Sequence, residues 1–491
     1  MSGLLVAGTS SDAGKSLVVT GLCRALYRRG LGVAPFKAQN MSNNSWVVPP
    51  DLTGRSGEIG RAQVLQAQAA CLTPTTAMNP VLLKPGNDRR SHVVLRGRPF
   101  GTLESGEYAT GRGELAAAAF AAFEELAAAH QLVVCEGAGS PAEINLRASD
   151  YVNLGLARRY GLPVIVVGDI DRGGVLASLF GTWAIVDAPD RAHLAAYVIN
   201  KFRGDPDVLE PGLVELTART GMPCLGVLPW LDTLGLDSED SVGLGVWGLD
   251  HVDPGHEALT IAVIGLPRVS NATDVDALAH EPGVSVSVTR QPAVVLDADV
   301  VVVPGTRSTI SDLDWLRRTG LAAALTARHA AGRTTIGICG GYQMLADRII
   351  DGEGVEGVAR EVPGLGLLPV DVVFSPEKVL AIPRGEWAGL PVAGYEIHHG
   401  RCDVQGAAEA FLDGCRVGPT WGTLWHGIFE NDAFRRAWLT TAARAAGRSW
   451  RPDMSSPPFV DRRERMIDTL ADAIETHLDV DKILAMTGIA G

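Results

Sequence analysis

Short apolar runs, mostly of β-branched residues, alternate with Ala- and Leu-rich stretches along this chain, and the alternation is played through twice. In the first half the runs are LLVAG (4–8), GVAPFK (32–37), QLVVCEG (131–137), PVIVVGD (163–169), AAYVIN (195–200) and PCLGVLP (223–229). Runs this short and this apolar suit strands buried on both faces. Helices between successive strands require crossover connections, so the pattern predicts α/β domains built on parallel sheets. Most runs end on Gly, Asp, Glu, Asn or Lys, as expected where a parallel sheet opens its carboxyl edge to a ligand. The pattern restarts with LTIAVIGLP (259–267), VSVSVTR (284–290), DVVVVPG (299–305) and TTIGICGG (334–341), which predicts a second sheet of the same class.

Between the two lies 231–258, with seven acidic residues and no Lys or Arg. It is the expected boundary, separating 1–230 from 259–491; a chain of 491 residues is too long for one hydrophobic core. The stretch 464–478 has apolar residues at helical spacing and is expected to cap the second domain. No segment approaches the roughly 20 unbroken apolar residues of a membrane span, and no basic-then-apolar leader opens the chain, which predicts a cytoplasmic protein without a membrane span. A net charge of −13 argues against a general nucleic-acid binder, so any anionic partner must be met by local groups. The seven cysteines are scattered, without a CxxC pair, which disfavours a disulfide scaffold or zinc knuckle.

Residues 8–16, GTSSDAGKS, join the first strand to a helix. A glycine-rich turn at a helix N-terminus offers unpaired N–H groups and the positive end of the helix dipole to an anion. Lys15 would reach the outer phosphates of a nucleotide and the Ser16 hydroxyl would ligate magnesium. Five residues separate Gly8 from Gly14, one more than the widespread pattern has. Glu136, closing VVCE, is placed to hold magnesium at the sheet edge, and Lys37, closing another strand, to neutralise a transferred phosphoryl group or hold a substrate carboxylate. Asn200, in VINKFRGD, either reads a base through its amide or shapes a local turn.

A second constellation is TIGICGGYQML (335–345). Gly337, Gly340 and Gly341 let the chain turn sharply around Cys339 and set its thiol at a helix N-terminus, where thiolate is stabilised and N–H groups can hold an oxyanion. The Gly340 N–H is the first candidate for that hole, and Gly305, in the turn PGTRST, the second. A thiol nucleophile needs a base. His426, in WGTLWHGIFEND, competes on sequence alone with His398 and His399, in GYEIHHG.

The loop GTSSDAGKS, with EGAG downstream, resembles that of the dethiobiotin synthetase group, whose members activate a carboxylate with ATP. FKAQNMSNNSWV (36–47), EGAGSPAEINLRASDYVNLGLA (136–157), VGDIDRGGVLASLFGT (167–182) and NKFRGDPDVLEPGL (200–213) are similar to the cobyric acid synthase family, glutamine-dependent enzymes of cobalamin biosynthesis. That resemblance implies two doubly wound α/β domains: an N-terminal P-loop domain and a C-terminal class I glutamine amidotransferase domain of flavodoxin-like type. It implies ATP at Gly8, Thr9, Asp12, Gly14, Lys15, Ser16, Lys37 and Asn200, and Mg2+ at Ser16 and Glu136. It selects His426 as the partner of Cys339, because the family's catalytic histidine lies in the HG(I/L)F string. Many class I amidotransferases place a glutamate two residues beyond that histidine, where this chain has Ile428, and Glu430 lies four beyond, so a Cys339–His426 dyad is expected. The implied small-molecule partners are ATP, glutamine and adenosylcobyrinic acid a,c-diamide, amidated at its b, d, e and g carboxylates, with Asn40, Asn43, Asn44 and Asp150 as substrate-side candidates. Cobyrinic acid a,c-diamide synthase is built from the same two modules and is the alternative. A nucleotide switch of the partitioning-ATPase type is a more distant one, against which the loop lacks an early lysine and the cysteine elbow is intact.

Overall fold

The computed structural model describes residues 2–51, 53–86, 90–104, 112–231 and 258–489. The acidic stretch expected as the boundary lies, but for its end residues, outside them. Strand β1 (Gly3–Gly8) is central to a six-stranded sheet whose order is Cys224–Pro229, Leu194–Phe202, Val164–Asp169, β1, Leu132–Glu136 and β2 (Val33–Phe36). All neighbours are parallel. Alternate residues of β1 enter different cores: Leu4 and Val6 join Val18 and Leu22 of helix α1 (Lys15–Arg28), whereas Leu5 and Ala7 join Phe123 and Leu126 on the opposite face. Burial on both faces is why these strands read as unbroken apolar runs.

The second sheet orders its parallel strands as Val284–Thr289, Leu259–Ile264, Val300–Val303, Thr334–Ile338 and Thr420–Thr423, extended by antiparallel Gly414–Val417 and Glu409–Phe411. Numbered along the chain, the parallel strands run 2-1-3-4-5, the flavodoxin-like order. Two further four-stranded sheets are inserted, one in each half. Several of their strands, such as Arg360–Pro363 and Val370–Ala381, are partly exposed and interleaved with polar residues, so the apolar runs of the sequence do not reveal them.

The helix Phe459–His477, expected to cap the second domain, meets that domain at its start, where the Phe459 N–H donates to Asp432 Oδ1 at 3.0 Å, and then lies along α1 of the first unit: a Cβ at Gly21 would come 2.6 Å from Ile474 and 2.9 Å from the Leu470 carbonyl. Glycine at 21 gives up helix propensity of about 1 kcal/mol relative to Ala so that the two helices can close. Arg24 pairs with Glu464 at 2.6 Å and Asp468 at 3.1 Å, and Arg28 with Asp472 at 2.6 Å, along the same face. Among the described residues no helix is long and apolar enough to cross a membrane.

Candidate active sites

The first site forms at the carboxyl edge of the first sheet, where strand order reverses beside β1. The loop leaves Gly8, takes Asp12 through φ 57 and Gly14 through φ 96, and enters α1 at Lys15. A side chain at Gly14 would collide with the Asn200 amide, so the loop can close only with glycine there. The Thr9 N–H is held by the Val167 carbonyl at 2.9 Å. Lys15 folds back over the loop, its Nζ donating to the Ser10 carbonyl at 2.9 Å and the Gly139 carbonyl at 3.2 Å.

Glu136 is the focus of this edge. Its Oε1 accepts from the Ser16 hydroxyl at 2.7 Å and from Lys37 Nζ at 2.8 Å, and its Oε2 from Gln66 Nε2 at 2.5 Å. A hydroxyl and a carboxylate this close, at the mouth of a phosphate loop, fit magnesium, which keeps several waters and takes one or two protein oxygens beside the phosphates. Gln66 was not foreseen; it lies on helix α2 (Arg61–Ala69), with no motif to mark it. Lys201 and Asp169 were missed as well: at φ 62, Lys201 bridges the Asp12 carbonyl and the Asp169 carboxylate, each at 2.7 Å.

Three of the expected ligand residues make contacts within the protein here. Asn200 donates to the Ala13 carbonyl at 2.9 Å from beneath the loop, in keeping with the second of its two readings, the shaping of a local turn. Asp150 accepts from the N–H groups of Val152, Asn153 and Gly155 at 2.8 to 2.9 Å, so both oxygens are engaged in shaping its own turn. Asn44 turns to the other unit, accepting from the Ala272 N–H at 3.0 Å. Asn40 donates to Gln63 Oε1 at 2.9 Å. Asn43 Oδ1, Gln63 Nε2 and Gln66 Oε1 are buried without a hydrogen-bond partner among the described residues, a condition uncommon in native interiors.

The second site collects the carboxyl ends of four strands of the other sheet. Cys339 sits between Thr334–Ile338 and the short helix Gly340–Met344 at φ 50, ψ −111, a conformation costly for any residue with a side chain. Gly341 permits it, because a Cβ there would run into the Val303 carbonyl. Gly340 opens the helix behind the thiol, and Gly305 packs against the imidazole of His426, 2.9 Å from where its Cβ would stand.

His426 follows Thr420–Thr423 and is buried, and its Nδ1 lies 2.6 Å from Asp274 Oδ2. The other oxygen of Asp274 accepts from the Gly427 N–H at 2.8 Å, which fixes the carboxylate relative to the ring. With Nδ1 turned to Asp274, Nε2 is the atom that meets Cys339. Burial works against a charged imidazole, but Asp274 and Cys339 outweigh it and push His426 up to about 10. His398 and His399 instead hydrogen-bond to the Gly400 and Ser375 carbonyls at 2.8 and 3.0 Å, and burial takes each down to about 4. The structure thus brings His426, not its rivals, to the thiol, and adds a carboxylate to the expected dyad.

Asp274 lies in the loop that follows Leu259–Ile264, so the rule that parallel strands present ligand groups at their carboxyl ends could have singled it out. Glu430 does not fill that place; it is bound by Arg61 at 2.8 Å and Arg463 at 3.0 Å. Cys339 opens into a pocket lined by Arg307, Gln343, Glu356, Lys84 and Lys378. Glu356 is occupied by the N–H groups of Thr309 and Ile310 at 3.0 and 2.9 Å, whereas the Arg307 guanidinium has no hydrogen bond or ion pair among the described residues. A guanidinium beside the nucleophile is a receptor for a carboxylate.

Residues 4–241 match the model of the CobQ/CobB/MinD/ParA nucleotide binding domain, and residues 260–434 match the CobB/CobQ-like glutamine amidotransferase domain. The chain is 62% identical over 487 residues to a cobyric acid synthase of Cutibacterium acnes, covering 99% of both proteins. It is 55% identical to one of Mycolicibacterium gilvum, covering 100% of this chain and 98% of that protein, and 56% identical to one of Mycobacterium bovis, covering 99% and 96%.

Proposed function

The chain belongs to the cobyric acid synthase family and is a glutamine-dependent ligase, and on that footing we propose that it amidates the b, d, e and g carboxylates of adenosylcobyrinic acid a,c-diamide to give adenosylcobyric acid. The observation that carries the proposal is the pairing, in one chain, of a phosphate loop focused on Glu136 with a Cys339–His426–Asp274 constellation.

At the first site a substrate carboxylate oxygen attacks the γ-phosphorus of ATP, and ADP leaves. Lys15 and the N–H groups at the start of α1 stabilise the charge that spreads over the phosphoryl oxygens. Ser16 and Glu136 are the groups that would hold Mg2+, which supplies charge neutralisation between the phosphates when bound. Lys37, now paired with Glu136, is close enough to exchange that partner for a phosphate. Of the substrate-side candidates, Asn43 keeps an unpaired side-chain oxygen among the described residues, and Gln63 nearby keeps an unpaired nitrogen. Ammonia then attacks the acyl carbon, and phosphate departs with the C–O electrons.

At the second site the Cys339 thiolate attacks the side-chain amide carbon of glutamine, whose α-carboxylate is met by Arg307. The Gly340 N–H, with the Gly305 turn, holds the oxyanion. His426 gives its proton to the departing ammonia and then takes one from the water that releases glutamate from the thioester. Incubation with the a,c-diamide, ATP and glutamine is expected to add an amide at each of the four remaining carboxylates, read as the mass of the product. Amidation of cobyrinic acid itself at a and c, with no reaction of the a,c-diamide, would transfer the chain to the other specificity.

Asp274 allows a sharper expectation. An imidazole pushed up to about 10 stays protonated throughout the neutral range, and its favourable charge interactions are lost only as pH rises through that value. Asp274→Asn removes the largest raising charge and leaves burial opposed by Cys339 alone, so the imidazole is expected to titrate below its wild-type value. Glutamate release is expected to fall about 10²-fold or more and to lose its plateau above neutrality. A pH–rate profile superimposable on the wild type would exclude Asp274 from the triad.

A further inference from the structure

The strand Ser45–Val48 belongs by chain order to the nucleotide-binding unit, but the residues at its start face the glutamine site. Asn44 Oδ1 accepts the Ala272 N–H at 3.0 Å, and the Ser45 N–H is donated to Asn271 Oδ1 at 2.8 Å. Between them these bonds grip the two residues that open the turn Ala272–Val275, which carries Asp274. Asn271 stands at φ 53, ψ 49, and the Asp274 N–H returns to its carbonyl at 3.0 Å. A left-handed residue is accessible to asparagine without being its preferred state. The paired bonds from Asn44 and Ser45 hold it there.

The next residue reaches the other half of the triad. The Trp46 ring lies 4.2 Å from that of Tyr395, and Tyr395 exchanges backbone hydrogen bonds with His426 at 3.1 and 2.9 Å and stacks on its ring at 5.3 Å. The Arg61 guanidinium covers the far side of this contact, 4.3 Å from the Trp46 ring, and binds Glu430 in the turn after His426 at 2.8 Å. Asn44, Asn271 and Arg61 are at most 3% exposed, so water does not offer these groups an alternative partner. Helix α2 starts at Arg61 on this contact, and Gln66 on the same helix donates to Glu136 of the nucleotide site.

We infer that Asn44 and Trp46 are positioning residues for glutamine hydrolysis: the nucleotide-binding unit holds Asp274 through Asn44 and His426 through Trp46 and Tyr395, and so sets the geometry of a triad it does not contain. The inference rests on Cys339 being the glutamine-hydrolysing nucleophile. Displacing reacting groups by about 1 Å costs on the order of 10²-fold in rate, and either side chain controls a contact of that kind without touching glutamine.

The test uses the full-length protein and follows glutamate release and ammonia-supported amidation side by side. In Asn44→Ala and Trp46→Ala, kcat for glutamate release is expected to fall about tenfold or more with KM for glutamine within about twofold, the signature of a misplaced rather than an unbound substrate. The pH–rate profile should move toward that of Asp274→Asn, ammonia-supported amidation should stay within about twofold of the wild type, and Trp46→Phe should recover most of the loss because it retains the ring contact. Unchanged glutamate release in the two alanine variants, or an equal fall in both activities, would overturn the inference. Should Trp46→Ala fail to fold, Asn44→Ala and Trp46→Phe decide it. A Cys339→Ala control that still releases glutamate would instead overturn the nucleophile assignment, so the two failures are distinct.

Discussion

Cys339→Ser is expected to lower glutamine-supported amidation by at least about 10³-fold while leaving ammonia-supported amidation near the wild-type rate. The thiol is the only part of the second site that forms a covalent bond. Serine keeps the size but not the acidity, and at φ 50 it sits on the same strained elbow, so the loss reports chemistry rather than folding. Free ammonia bypasses the elbow altogether. Full glutamine-dependent turnover in this variant would remove Cys339 from the mechanism.

Lys15→Ala is expected to abolish both reactions, by about 10³-fold or more whichever nitrogen source is supplied. Its ammonium is held over the phosphate loop by the Ser10 and Gly139 carbonyls, and in the proposed reaction it meets the charge that gathers on the transferred phosphoryl group. The loss should fall on amidation itself, with glutamate release retained, because the Ser10 and Gly139 carbonyls that hold Lys15 belong to the phosphate site. The two variants therefore divide the overall reaction in opposite ways. An equal effect of Lys15→Ala on glutamate release would mean that the sites cannot be separated as described.

The parallel strands were legible because both faces of each are buried, and burial on both faces writes an unbroken apolar run. Glu136 and Cys339 could be singled out because each stands where such a run stops, and Lys15 and Ser16 because the GKS triplet opens the helix that follows one. Asp274 was not legible: it meets His426 across 152 positions of chain, and nothing near either residue announces the other. The contact made by Asn44 was hidden for a related reason: its place after Lys37 suggested a substrate-side residue, and nothing in the sequence shows that its oxygen meets a backbone N–H of the other unit. The amphipathic pattern of the helix Phe459–His477 announced an apolar face but carried no record of what that face meets.

That helix has a consequence for how the chain is made. The α1 face bearing Gly21 and Arg24 is complete once residue 28 is synthesised, yet its cover, Phe459–His477, comes some 430 residues later. At ribosomal rates of about 5–20 residues per second, the first unit waits roughly 20–90 s with that face open. A nascent or truncated chain ending before residue 459 therefore presents a sticky, unfinished surface, and the product becomes self-contained only when the helix Phe459–His477 leaves the ribosome.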